Sequence, residues 1–161
     1  MKAYQVSFKQ QLPISLSQAW EFFSSPLNLA EITPTDMAFV VTSELDSNSK
    51  MYPGMIITYK VSPLFGIKLN WMTEITQVEE GNYFIDEQRF GPFKFWHHQH
   101  HFKAIDGGVE MTDILTYGLP FGLLGKLAHG LMVRNRIQQI FAFREQKVKE
   151  LFGVYKQGLT G

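Results

Sequence analysis

The chain contains no cysteine. Disulfides, thiolate metal sites and cysteine nucleophiles are therefore excluded. A surplus of charge is also missing: 15 basic residues balance 15 acidic ones across 161 positions. Nucleic-acid binding relies on a basic excess that neutralises phosphates, so no nucleic-acid partner is expected. No apolar run approaches the roughly 20 residues that span a bilayer. The opening MKAYQVSFKQQLPIS lacks the apolar stretch of a secretion signal. These absences point to a cytoplasmic protein with no integral membrane segment. Neither of the glycine-rich phosphate-binding patterns occurs, and no cofactor is implied.

What the sequence does contain is phenylalanine, with 14 copies, and an aromatic share of 14%. Such a chain can wall a large apolar interior or fill that interior with its own rings. Four of the five histidines fall within FGPFKFWHHQHHF, residues 90–102. Histidine is the commonest metal ligand and titrates nearest neutral pH, so this stretch is the first candidate for chemistry.

The apolar pattern divides the chain into two regimes. Residues 2–12 alternate as a strand, and Ser15-x-x-Gln18 opens a short helix over 16–24 as a capping box. Pro26 starts a second short helix over 27–32, which Pro34 ends. Strands are expected at 37–45, 55–62, 67–79, 82–90, 93–105 and 108–118, separated by turn residues such as Pro53-Gly54, Glu80-Gly81 and Gly107-Gly108. From 123 to 152 the period becomes helical, with Leu124, Leu127, Leu131, Ile137, Phe141, Val148 and Leu151 as its stripe. Arg136, Gln139, Glu145 and Lys149 read as its solvated face. The segment 119–124 is either an apolar lip at a cavity mouth or the anchored start of the helix. Consecutive strands with short turns make an antiparallel meander, and the long helix must lay its stripe on one face. The fold class is α+β.

Alternation splits the histidine strand. His97 and His101 share the more polar, outward phase, whereas His98 and His100 lie between Trp96 and Phe102 on the inward one. A two-residue turn at Asp106-Gly107, or a four-residue loop from Ile105 to Gly108, sets His100 opposite Asp113, His98 opposite Leu115, Trp96 opposite Tyr117 and Phe102 opposite Met111, whereas a three-residue loop shifts the pairing. Asp113 is the lone acid of its phase. A buried carboxylate is retained when it bonds an imidazole, so His98, His100 and Asp113 form a polar island. Asp86 and Gln88 share one phase of the preceding strand and Glu87 and Arg89 the other; pattern alone does not say which faces inward. Three readings of the island stay open: a self-satisfied network, polar anchors in a ligand cavity, or a metal triad or acid–base pair.

Several stretches resemble one family. FFSSPLNLAEITP (22–34), FIDEQRFGPFKFWHHQHHF (84–102) and MTDILTYGLPFGLLGKLA (111–128) are similar to small bacterial members of the START/SRPBCC superfamily. This is the birch-pollen-allergen-like helix-grip group that includes polyketide cyclases and lipid-transfer proteins. The resemblance implies a single domain over 1–153, with 154–161 as a tail. It implies a seven-stranded curved antiparallel sheet wrapped around a long C-terminal helix, with two short helices after the first strand. It further implies a cavity between sheet and helix that carries a small hydrophobic or amphipathic ligand such as a lipid, quinone or polyketide-like molecule. Trp20, Trp71, Trp96, Tyr117, Leu127, Leu131 and Phe141 are the expected walls. His98, His100, Asp113 and Arg134 are the expected polar anchors, Arg134 toward an anionic ligand group. The alternatives are a cyclase or hydrolase using His100 and Asp113 as an acid–base pair assisted by His98 or Tyr117, and an interaction module like domains labelled cell-division inhibitors.

Overall fold

A computed structural model describes residues 2–46, 48–63, 66–120 and 132–156. The chain opens with β1 (Ala3–Leu12) and α1 (Leu16–Phe23), followed by single 3-10 turns at Pro26–Ala30 and Thr35–Met37. Six further strands follow: β2 (Val40–Val41), β3 (Met55–Val61), β4 (Leu69–Glu79), β5 (Tyr83–Phe90), β6 (Phe95–Ile105) and β7 (Gly108–Gly118). The long helix α2 spans Arg134–Phe152. The strands form one antiparallel sheet in the order β1-β7-β6-β5-β4-β3-β2, the meander closed by the first strand pairing with the last.

Local chemistry explains the ends of these elements. The Ser15 hydroxyl accepts from the Gln18 backbone N–H, and the Gln18 side chain accepts from the Ser15 N–H, so both orphan donors are satisfied. At the β6–β7 hairpin Ile105 pairs with Gly108, leaving a two-residue turn in which Gly107 takes φ 69°. At the β5–β6 corner the Gln88 amide donates to Phe93 O at 2.6 Å and accepts from Phe93 N at 3.2 Å. A Cβ on Gly91 would run into that amide.

Three expectations need correction. The strand expected at 37–45 shrinks to two residues, because the Thr35–Met37 turn occupies its start and Ala38 sits in the left-handed region at φ 44°. Leu151 is exposed, and the neighbouring Phe152 packs on Phe22 instead. Arg136 does not lie on a solvated face: its guanidinium donates to Pro63 O and Asp36, clamping the loops before and after β2 and β3 onto α2. Of the helix expected over 123–152, residues 121–131 fall outside the described residues, and Leu127 and Leu131 with them.

Buried apolar residues flank the space between sheet and α2. One cluster, with Trp20, Phe84, Phe102 and Val148, joins α1 to the sheet and to the end of α2. A second places Ile137 and Phe141 of α2 against Leu115 and Tyr117 of β7. Phe8 stacks on Phe141 with ring centroids 3.9 Å apart. A third, around Met37, Val61 and Trp71, closes the far side.

Candidate functional site

Between the sheet and α2 lies a cavity of about 490 Å³. Its wall includes Phe22, Phe23, Phe39, Phe84, Phe93 and Phe141, so the phenylalanines line the space and leave it open. Trp71 and Trp96 meet edge to face at 5.2 Å, with Phe93 against both. Tyr59 stacks on Trp71, and its hydroxyl shares a 2.7 Å hydrogen bond with Thr73.

On the sheet side of this cavity sit four titratable side chains from three adjacent strands. The register places His98 directly between Asp86 and Leu115, and His100 between Phe84 and Asp113. Cross-strand partners share a face, so Asp86 points inward with His98 and His100. His100 Nε2 lies 2.8 Å from Asp86 Oδ2, and its Nδ1 lies 2.9 Å from Asp113 Oδ1. His98 Nε2 is 3.0 Å from Asp113 Oδ1, and its Nδ1 is 3.5 Å from Asp86 Oδ2. Each imidazole thus touches both carboxylates. The two rings lie 3.9 Å apart, capped by Phe84 on His100 and Phe141 on His98.

The electrostatics differentiate these groups. Burial alone would raise the Asp86 carboxyl, but the His100 hydrogen bond and the charges of His98, His100 and Arg144 bring it below its ordinary value. Asp113 is driven down in the same way by bonds to both histidines. Burial and the adjacent His100 charge lower His98 despite its bond to Asp113. Burial also opposes the charge on His100, yet its bonds to the two carboxylates outweigh it and raise that histidine. The cluster therefore sets two carboxylates held down against a pair of imidazoles driven apart, His100 up and His98 down. Burial and the Asp86 charge push the Tyr59 hydroxyl up, so it remains protonated.

Opposite the cluster, α2 contributes Arg144. It occupies the inward stripe Ile137–Phe141–Arg144–Val148, spaced by four, three and four residues. Its guanidinium lies 5.0 Å from the Phe141 ring centroid. Among the described residues, two buried side-chain nitrogens have no hydrogen-bond partner, Trp71 Nε1 and Arg144 Nε. Both residues line the cavity. Asp113, Phe141 and Arg144 also line a smaller pocket of about 160 Å³ between β1 and α2.

The structure thus brings together Trp71, Trp96, His98, His100, Asp113 and Phe141 from the expected set. It does not bring Trp20, which is buried against Phe84 and Phe102 beneath α1. Tyr117 lies behind the wall, fully buried against Phe93, Trp96 and Tyr4. Arg134 is exposed and is not part of the wall. Val133, one turn before Ile137, takes the inward position of the stripe and is buried, which leaves the adjacent Arg134 outside it. Beside the expected triad of His98, His100 and Asp113, whose Asp113 Oδ1 meets both imidazoles, Asp86, His98 and His100 each bring one ligand atom within 4.8 Å of the others. His97 and His101 stay on the outer face, partly exposed, where His97 bonds Glu87 and His101 bonds Gln99.

No family model matches the sequence, and no curated protein matches it. Solved structures match over almost the whole chain. Protein CV1439 from Chromobacterium violaceum aligns with a TM-score of 0.68 at 13% identity, covering 94% of this chain and 98% of that one. Protein Ms6760 from Mycobacterium smegmatis gives 0.64 at 16% identity, with 94% and 98% covered. Ara h 8.0201 gives 0.59 at 15% identity, with 92% and 99% covered. Identities this low establish the fold alone, which is the helix-grip fold that the sequence resemblance implied.

Proposed function

We propose that the protein binds a small amphipathic molecule in the cavity between its sheet and α2. The observation that carries this reading is the cavity itself: about 490 Å³, walled mainly by aromatic and aliphatic side chains. Small-molecule sites typically occupy about 300–1,000 Å³, with a few polar groups that orient the guest. Among the described residues, Trp71 Nε1 and Arg144 Nε are buried donors without acceptors. An unsatisfied buried donor costs about 1–3 kcal/mol, which a guest oxygen would recover. The favoured guest is flat and largely apolar, with carbonyl or carboxylate oxygens; lipids, quinones and polyketide-like molecules are the class to test. Carriage rather than conversion is the leading role, in a cytoplasmic setting.

A second reading has its own observation. His98 and His100 are neighbours driven in opposite directions, and such pairs assign acid and base roles in enzymes. A cyclase- or hydrolase-type reaction would use His98 as base and His100 as acid on a guest in the cavity. Native mass spectrometry of untagged protein, followed by displacement of an apolar fluorescent probe, tests binding. A carrier releases its guest unchanged, whereas an enzyme converts it and loses turnover in His98→Gln. Failure of any apolar probe to bind saturably would remove both readings.

A further inference from the structure

We propose that Asp86, His98 and His100 form a binding site for one divalent transition-metal ion, with Asp113 as its orienting carboxylate. The inference goes beyond guest binding and does not depend on it.

Donor geometry comes first. Asp86 Oδ2 stands 3.5 Å from His98 Nδ1 and 2.8 Å from His100 Nε2. One ligand atom from each of the three residues falls within 4.8 Å of the others. A tetrahedral ion bonded at about 2.0–2.1 Å holds its donors about 3.3 Å apart. The two Asp86 separations bracket that value, and the two imidazole donors lie within 4.8 Å of each other, so side-chain rotations draw the three donors around one ion. Two imidazoles and one carboxylate make a ligand set suited to Zn²⁺, Fe²⁺ or Co²⁺.

The remaining ring nitrogens supply the second observation. His98 Nε2 and His100 Nδ1, the atoms turned away from Asp86, both meet Asp113 Oδ1, at 3.0 and 2.9 Å. A carboxylate behind metal-bound histidines fixes their tautomers and raises their basicity. One carboxylate serves both rings here, so His98 would ligate through Nδ1 and His100 through Nε2.

Charge and access agree with the geometry. Metal binding releases any proton held on the imidazoles, and the two carboxylates then carry two negative charges, which a dication cancels. All three ligands line the cavity, so the ion's remaining positions would face the guest space. The site is rigid for a physical reason: its residues come from the adjacent strands β5 and β6, with Asp113 on β7, and aromatic rings cover both imidazoles.

The test uses untagged full-length protein stripped with a chelator. Co²⁺ is titrated with visible absorption as the readout, and Zn²⁺ is followed by equilibrium dialysis. The expected result is saturable binding of a single equivalent, with Co²⁺ absorption bands that Zn²⁺ abolishes. Asp86→Asn should lose the bands. Asp113→Asn should weaken binding about 10–100-fold. The double variant His97→Gln, His101→Gln should bind as the parent does, since its histidines lie on the other face. In the unsubstituted protein, Zn²⁺ should move the NMR signals of His98 Nδ1 and His100 Nε2, a readout that stands even where a variant does not fold. Absence of saturable binding, unmoved His98 and His100 signals, or binding lost in the His97/His101 variant would each overturn the proposal.

Discussion

At the scale of single residues, the four-membered cluster is the feature with the largest energetic stakes. Its charges are buried and each relies on its neighbours, so removing one partner strands another. Breaking such a pair costs about 3–5 kcal/mol, and Asp113→Ala should lower unfolding free energy by that amount in urea titrations of metal-free protein. His97→Ala removes a partly exposed bond to Glu87 and should cost under about 1 kcal/mol. Equal losses in the two variants would contradict the inward–outward assignment. The pH dependence has a definite sign for each group. The lowered Asp86 and Asp113 contribute stability that is complete above the unfolded carboxylate value of about 4 and is lost as pH falls through their folded values. The lowered His98 contributes above the unfolded histidine value of about 6.5 and loses that contribution on acidification below it. The raised His100 acts oppositely: its contribution is complete below about 6.5 and is lost as pH rises through its folded value. Metal-free protein should therefore be most stable near the unfolded histidine value of about 6.5, with urea midpoints falling on both sides. A midpoint that keeps rising on acidification through the histidine range would contradict these assignments.

At the scale of elements, strand alternation was the most legible signal. The two-residue turn at Asp106-Gly107 gave the β6–β7 register, with His100 opposite Asp113 and Trp96 opposite Tyr117. The same rule could not orient Asp86, because Phe84 and Ile85 are apolar in both phases and both are buried. Only the pairing of Asp86 with His98 settles the face. The helix shows a different limit. Arg144 was accessible to pattern, since it lies seven residues after Ile137 and four before Val148. Arg134 and Val133 stand three and four residues before Ile137, both at helical spacing, and only the structure shows that Val133 is the inward one. The capping box at Ser15 and Gln18 was fully legible, being a local bond between residues three apart. Ser15→Ala should destabilise by about 0.5–2 kcal/mol in thermal unfolding. No change would mean that tertiary packing alone holds α1. The Arg136 clamp, by contrast, joins residues far apart in sequence and had no local signature.

At the scale of the whole molecule, the fold holds α2 on one side of the sheet and leaves a cavity where they diverge. Phe141 stands at the junction, stacked on Phe8, edge-on to His98 and part of the cavity wall. Phe141→Ala should cost about 3–5 kcal/mol while enlarging the cavity, and larger apolar probes should then be admitted. The tryptophans report on occupancy in different ways. Trp71 and Trp96 face the guest space, whereas Trp20 is packed beneath α1. Binding should change the emission of a variant that retains only Trp71 and Trp96, and leave a Trp20-only variant almost unchanged. The most direct test of the central claim is the stoichiometry of an apolar fluorescent probe, measured in the parent and in Ile137→Trp, which projects an indole into the cavity. Saturable binding of one probe per chain is expected in the parent, and its loss in the folded Ile137→Trp variant. Equal binding by both proteins, or none by the parent, would contradict it.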